Sequence, residues 1–201
     1  MASELGKVSK WPRLKSSLVR HALNESLNAA ARVQSTANSV GHAGSRVVRS
    51  RGLELAIGDL VSFAIHVRRL VEVTESVGFA KEQEVGSWIP PGQEESPLPS
   101  VMLWNVLNKI VHSRRLHILT NVKDFQVEYL GVKESSEALV ERLFNGDHDE
   151  LRPFAVLYSD RGNAQVIDLI SLVNGYDGLL DAVLEKCEEN GLHLDNEVYG
   201  Y

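Results

Sequence analysis

The sequence is short of several things, and each shortage excludes a class of protein. It has one cysteine, Cys187, so neither an intrachain disulfide nor a thiolate metal cluster can form, and a reducing compartment such as the cytoplasm is expected. It has no apolar run near the roughly 20 residues that span a bilayer. Its greasiest stretch, Leu53 to Val73, is broken by Glu54, Asp59, His66, Arg68, Arg69 and Glu72, so no membrane span is expected. No Gly-x-Ser-x-Gly elbow appears, and Cys187 stands among Glu185, Glu188 and Glu189, which disfavour a thiolate. The turn around Gly162 lacks the strand-to-helix setting and the Lys-Ser/Thr of a phosphate loop. Nucleophilic hydrolases and P-loop enzymes are thus poor candidates.

Acidic residues are scarce at the start of the chain. Residues 1–52 carry nine Lys/Arg against Glu4 and Glu25, a net +7, whereas the rest carries a net −13. A basic leader of this kind has three readings: an arm for a polyanion, an organellar presequence, or a helix packed on the acidic body.

What is present is mostly helical patterning, and 43% apolar residues suffice for one core. Leu14, Leu18, Ala22, Leu23, Leu27, Ala30, Val33 and Ala37 recur at helical spacing after Pro12, predicting a helix over 12–38. Gly41 to Ser45 interrupts it and Gly52 marks a boundary. A second helix is predicted over 53–77 and a surface loop over 78–99, where prolines cluster. A third helix is expected over 100–114, then strands at 116–119 and 125–129 and a short helix at 136–144. Strands at 154–158 and 164–168 flank a turn-rich 159–163, which reads as a hairpin, and a helix over 176–189 closes the chain. The expected fold class is α+β, a mainly helical bundle with a small antiparallel sheet and a closing C-terminal helix.

The candidate chemistry lies on two of these helices. Trp104, Asn108, His112 and Arg115 fall at spacings that share one helix face, opposite an apolar face of Leu103, Leu107, Ile110 and Val111. Ser62, His66 and Arg69 share a face of the second helix, with Arg68 beside them. If the two helices pack antiparallel, His66 and Arg69 meet Asn108 and His112 in a polar site. Other roles suit the same residues: His112, Arg114 and Arg115 near a helix C-terminus complement its dipole, and Arg68 can pair with Glu72. His66, His112 and His117 have no carboxylate at a spacing that would complete a metal site, so neither a metal nor a cofactor is expected.

Phe63-Ala64-Ile65-His66-Val67-Arg68-Arg69-Leu70 on one helix and Leu103-Trp104-Asn105-Val106-Leu107-Asn108-Lys109-Ile110-Val111-His112 on a later one resemble helical domains of the HEPN superfamily. The resemblance covers residues 53–116 and divides the chain into a basic helix and linker (1–52), a HEPN-like core (53–116) and a β-hairpin and helix region (117–201). It implies a homodimer that binds RNA or a nucleotide, in a defence or toxin–antitoxin setting. Any activity it implies is at most that of a metal-independent endoribonuclease, with His112, Asn108 and Arg69 catalytic and His66, Arg68, Lys109 and Arg115 binding. The sequence departs from the family where it matters most, because Val106, Leu107 and Asn108 stand where the motif arginine belongs. A weakly active or inactive relative is therefore the expectation. The competing expectation is a non-catalytic protein-interaction module whose polar helix row is structural.

Overall fold

The computed structural model describes residues 10–39, 46–85, 101–119, 153–158 and 165–199. It is a mainly helical α+β fold. Two long helices, α1 (Arg13–Ser39) and α2 (Arg46–Val73), form a hairpin. Lys15 pairs with Glu75, Glu25 with His66 and Arg32 with Asp59, so partners on the α2 side descend as α1 ascends and the two helices run antiparallel. Val19, Ala22, Leu23, Ala29, Ala30, Val33 and Ala37 are the buried stripe of α1. Its many alanines let α2 approach closely with Leu60, Phe63, Ala64, Val67, Leu70 and Val71. Of the three readings of the basic leader, the packed helix is the one that residues 13–39 adopt.

The turn after α2 has a recognisable hydrogen-bond pattern. The Ser76 amide donates to Val71 O and the Glu75 amide to Glu72 O, the paired bonds of a Schellman cap, with Glu75 in the left-handed region at φ 60°. The short helix α3 (Val77–Glu82) follows, and Gln83 O accepts from the amide of Leu103 at 2.8 Å. A two-stranded antiparallel ribbon of β1 (Glu84–Val85) and β2 (Val101–Met102) then leads into α4 (Leu103–His112).

The second sheet is antiparallel, ordered β3 (Arg115–Leu119), β4 (Phe154–Tyr158), β5 (Gln165–Asp168). Ala155, Val156 and Leu157 are all buried in this central strand. The chain passes from β5 straight into α5 (Leu169–Glu189), whose first turn is capped by the Asp168 carboxylate accepting from the Ser171 amide at 2.8 Å. A last short helix, α6 (Asp195–Tyr199), ends the described chain.

Helix α5 closes the core. Tyr176 is fully buried, its ring edge-on to Phe63 at 5.5 Å and its hydroxyl 2.7 Å from Ser26 Oγ. Ser26 gives its single proton to Leu23 O, so Tyr176 is the donor in the pair. Burial pushes the Tyr176 hydroxyl pKa far up, which keeps it a neutral donor at all physiological pH values. Gly175, one residue earlier, allows α5 to cross β1, since a Cβ there would lie 3.2 Å from Val85 Cγ2. The C-terminus of α5 repeats the Schellman pattern with Leu192 N to Cys187 O, Gly191 N to Glu188 O, and Gly191 at φ 73°.

Several elements differ from the sequence expectation. Helix α2 begins at Arg46, seven residues before the expected start, and carries Gly52 within it, so the boundary drawn at residue 52 falls inside a helix. A glycine within a helix costs only about 1 kcal/mol, which the packing of the buried stripe from Ala56 to Val71 outweighs. Helix α5 starts at Leu169 rather than 176 because Asp168 caps it, and the expected 78–99 loop contains most of α3 and all of β1. The strand expected at 125–129, the helix at 136–144 and the 159–163 loop lie outside the described residues.

Replacing Tyr176 by Phe keeps the ring contact but removes the buried donor to Ser26, and is expected to cost about 1–2 kcal/mol in urea unfolding at unchanged m-value. Gly191→Ala puts a Cβ on a left-handed residue and is expected to cost about 1 kcal/mol, read as a lowered Tm.

Candidate functional site

Helix α4 buries Leu103, Val106, Leu107 and Ile110 and leaves Trp104 and Asn108 half-buried and His112 exposed. The helix stops at His112, where Ser113 Oγ donates back to Lys109 O at 2.6 Å and residue 113 turns extended. Arg115 therefore lies on β3, not on the helix row expected of it. The polar stripe is divided between two elements.

The α2 residues divide as well. Half-buried His66 faces α1, with Nε2 3.9 Å from Glu25 Oε2, while its buried Nδ1 has no hydrogen-bond partner among the described residues. Beside it, Arg32 donates from Nε to Asp59 at 2.9 Å and from Nη2 to Ser62 at 3.5 Å, so the Ser62–His66 side of α2 is a polar rail against α1. Arg68 lies two residues, some 200°, further round the helix. It faces α4, with its guanidinium carbon 5.6 Å from the Trp104 ring centre and Nη2 3.5 Å from Glu72. Arg68 Nε is buried without a hydrogen-bond acceptor among the described residues, and the adjacent indole face is what offsets its desolvation. Arg69 is exposed.

Helix α4 begins beside Arg68, near the end of α2, and packs against α2. The consequence drawn from that packing does not hold. Among the described residues no hydrogen bond or ion pair joins His66 or Arg69 to Asn108 or His112. The contact between the helices is Arg68 on Trp104, because the apolar stripe that seats α4 turns His66 toward α1. Asn108 and His112 stand one turn apart on α4, and Arg69 is exposed on α2 with no hydrogen bond to either.

What the structure assembles instead is a cationic corner at the α4–β3 junction. His112, Arg114, Arg115 and His117 are exposed there, and Lys109 is half-buried, its pKa lowered by desolvation. Strand β3 alternates, with Leu116 and Ile118 turned inward and Arg115 and His117 outward. The sequence carries a plain signal for this corner that motif reading passed over. No Asp or Glu occurs from residue 96 to residue 123, in a chain with 27 acids, and the same span holds Lys109, Arg114, Arg115 and Lys123.

No known protein family, characterised protein or solved structure matches the chain. Among the described residues no group of three His, Cys, Asp or Glu is placed to hold a metal ion, and no helix is long and apolar enough to cross a membrane.

Cys187 is buried on the inner face of α5, and burial raises its thiol to about 11 despite the nearby Arg20 cation. An acid whose folded pKa is raised stabilises the fold below its unfolded pKa near 9 and loses that contribution as pH climbs toward 11. Stability to urea is therefore expected to fall between those values, less so in Cys187→Ala after its cavity cost is subtracted. Native protein at neutral pH is expected to resist iodoacetamide, with alkylation appearing only in denaturant.

Proposed function

We propose that this protein binds RNA or a nucleotide at the cationic corner, as a HEPN-like protein in which ribonuclease activity is weak or absent. The observation that carries the reading is the corner itself: Lys109, His112, Arg114, Arg115 and His117 gathered in an acid-free run on an acidic chain. Phosphate contacts draw on such cations, and the imidazoles add donors that strengthen below neutral pH. No hydrogen bond among the described residues joins Arg69 to Asn108 or His112, which supports binding over cleavage, since proton transfer needs its groups within hydrogen-bond reach. The homodimeric state, the cytoplasmic location and the defence or toxin–antitoxin setting belong to the same proposal and rest on the resemblance.

A second reading has its own observation. The outer face of α5 presents Asp177, Asp181, Glu185 and Glu188, all exposed, at the spacing of one helix side. Burial and the neighbouring Asp181 raise the pKa of Asp177, as like charges in one row require. That face suits a basic protein partner, and it supports the interaction-module reading.

The two are separated by binding of a mixed-sequence single-stranded RNA, followed by anisotropy at several salt concentrations with chelator present. Wild type is expected to bind, and Lys109→Ala/Arg115→Ala to bind at least about tenfold more weakly, with a salt slope smaller by about 0.7 per lost contact. Cleavage is expected to be negligible and equal in wild type and His112→Ala. Equal affinity of wild type and the double variant overturns the corner; cleavage lost in His112→Ala overturns the non-catalytic reading.

A further inference from the structure

Lys109 differs from the other described lysines in what surrounds it. Lys15 and Lys186 are also half-buried, but each has a carboxylate partner, Glu75 and Glu189, while Lys10 and Lys81 are exposed. Lys109 is half-buried with no hydrogen bond or ion pair to its nitrogen among the described residues, and that nitrogen is not sealed from solvent. Exposed His112 stands one turn on, its Cβ about 5–6 Å away, and the chain then turns into exposed Arg114 and Arg115. The nearest acids in sequence are Glu95 and Asp124. Partial desolvation with no anion to offset it favours the uncharged amine, and the pKa of Lys109 is lowered by that burial.

We infer that Lys109 is a nucleophilic amine and that the corner holds a small phosphorylated aldehyde as an imine upon it. The inference rests on the reading of the corner as a phosphate site and names a covalent ligand for it. The cations of His112 and Arg115 hold the phosphate, which brings the carbonyl to the lysine. The lone pair of Nζ attacks the carbonyl carbon, a C–N bond forms, and the carbonyl oxygen becomes the hydroxyl of a carbinolamine. That oxygen leaves as water with both protons of the amine, and the C=N bond closes. The step consumes no oxidant or reductant and reverses by hydrolysis. Lys15 and Lys186 lack this reactivity because their carboxylate partners favour the charged ammonium.

The test is incubation of the full chain with pyridoxal phosphate at neutral pH, reduction with borohydride, and mapping of the modified lysines by mass spectrometry. Lys109 is expected to carry most of the label at limiting reagent, and Lys109→Arg to lose that label while keeping its circular dichroism. Pyridoxal, which lacks the phosphate, and the His112→Ala/Arg115→Ala variant with pyridoxal phosphate are each expected to label Lys109 at least about tenfold less. Label spread evenly over Lys81, Lys109 and Lys186 overturns the nucleophile, and equal labelling of Lys109 by pyridoxal and its phosphate overturns the phosphorylated ligand. Anisotropy with single-stranded RNA on the unlabelled protein separates the two readings of the corner. RNA binding without a Lys109 adduct overturns the imine and leaves the corner standing, whereas an adduct without RNA binding overturns the RNA reading alone.

Discussion

The contact between Tyr176 and Ser26 is the constraint on which the rest of the arrangement depends. A phenol buried in a core of leucine and valine must have a hydrogen-bond partner. Here the partner is a serine 150 residues away, whose own proton is already committed to Leu23 O. Ser26 is flanked on the helix lattice by Ala22, Ala29 and Ala30, which leave room for the ring to arrive, and Phe63 of α2 meets that ring edge-on. One side chain of α5 thus fixes both helices of the N-terminal hairpin. The first and last described segments are tied by the same packing, since the Lys10 amide donates to Asn190 O and Arg20 pairs with Glu197.

That closure changes the meaning of the charge asymmetry. Lys15, Arg20 and Arg32 belong to the basic leader, and each faces a carboxylate of the acidic body: Glu75, Glu197 and Asp59. Partly exposed pairs of this kind are screened by solvent, so they orient more than they stabilise. Their effect on function is larger. Lys15, Arg20 and Arg32 are therefore poor candidates for a phosphate arm, and the exposed cations of the α4–β3 corner lie where no acid is nearby in sequence. The acidic outer side of α5 remains as a separate surface, and the molecule presents unlike charge from different elements.

The long helices α1 and α2, the antiparallel pairing of β4 with β5, and the buried face of α4 were legible in the sequence, because each rests on local periodicity. The candidate site was legible only as two polar rows. Which way those rows point depends on where the apolar stripes seat the helices, and a rotation of about 200° separates His66 from Arg68. The first went to Glu25 and the second to Trp104, so a cluster contiguous in sequence serves two different interfaces. The start of α5 was hidden because Asp168 is both the last residue of a strand and the helix cap, and a periodic pattern cannot separate those roles.

The sequence by itself determined the fold class, the helix faces and the excess of positive charge between residues 96 and 123, since periodicity and charge are properties of local composition. Only the tertiary structure decided that residues 13–39 of the leader form a core helix, that Arg115 leaves the α4 row for a strand, and that His66 turns to α1 while Arg68 turns to α4. Those outcomes depend on contacts between residues far apart in the chain, foremost Tyr176 with Ser26, and a local pattern carries no information about which distant stripe will meet it.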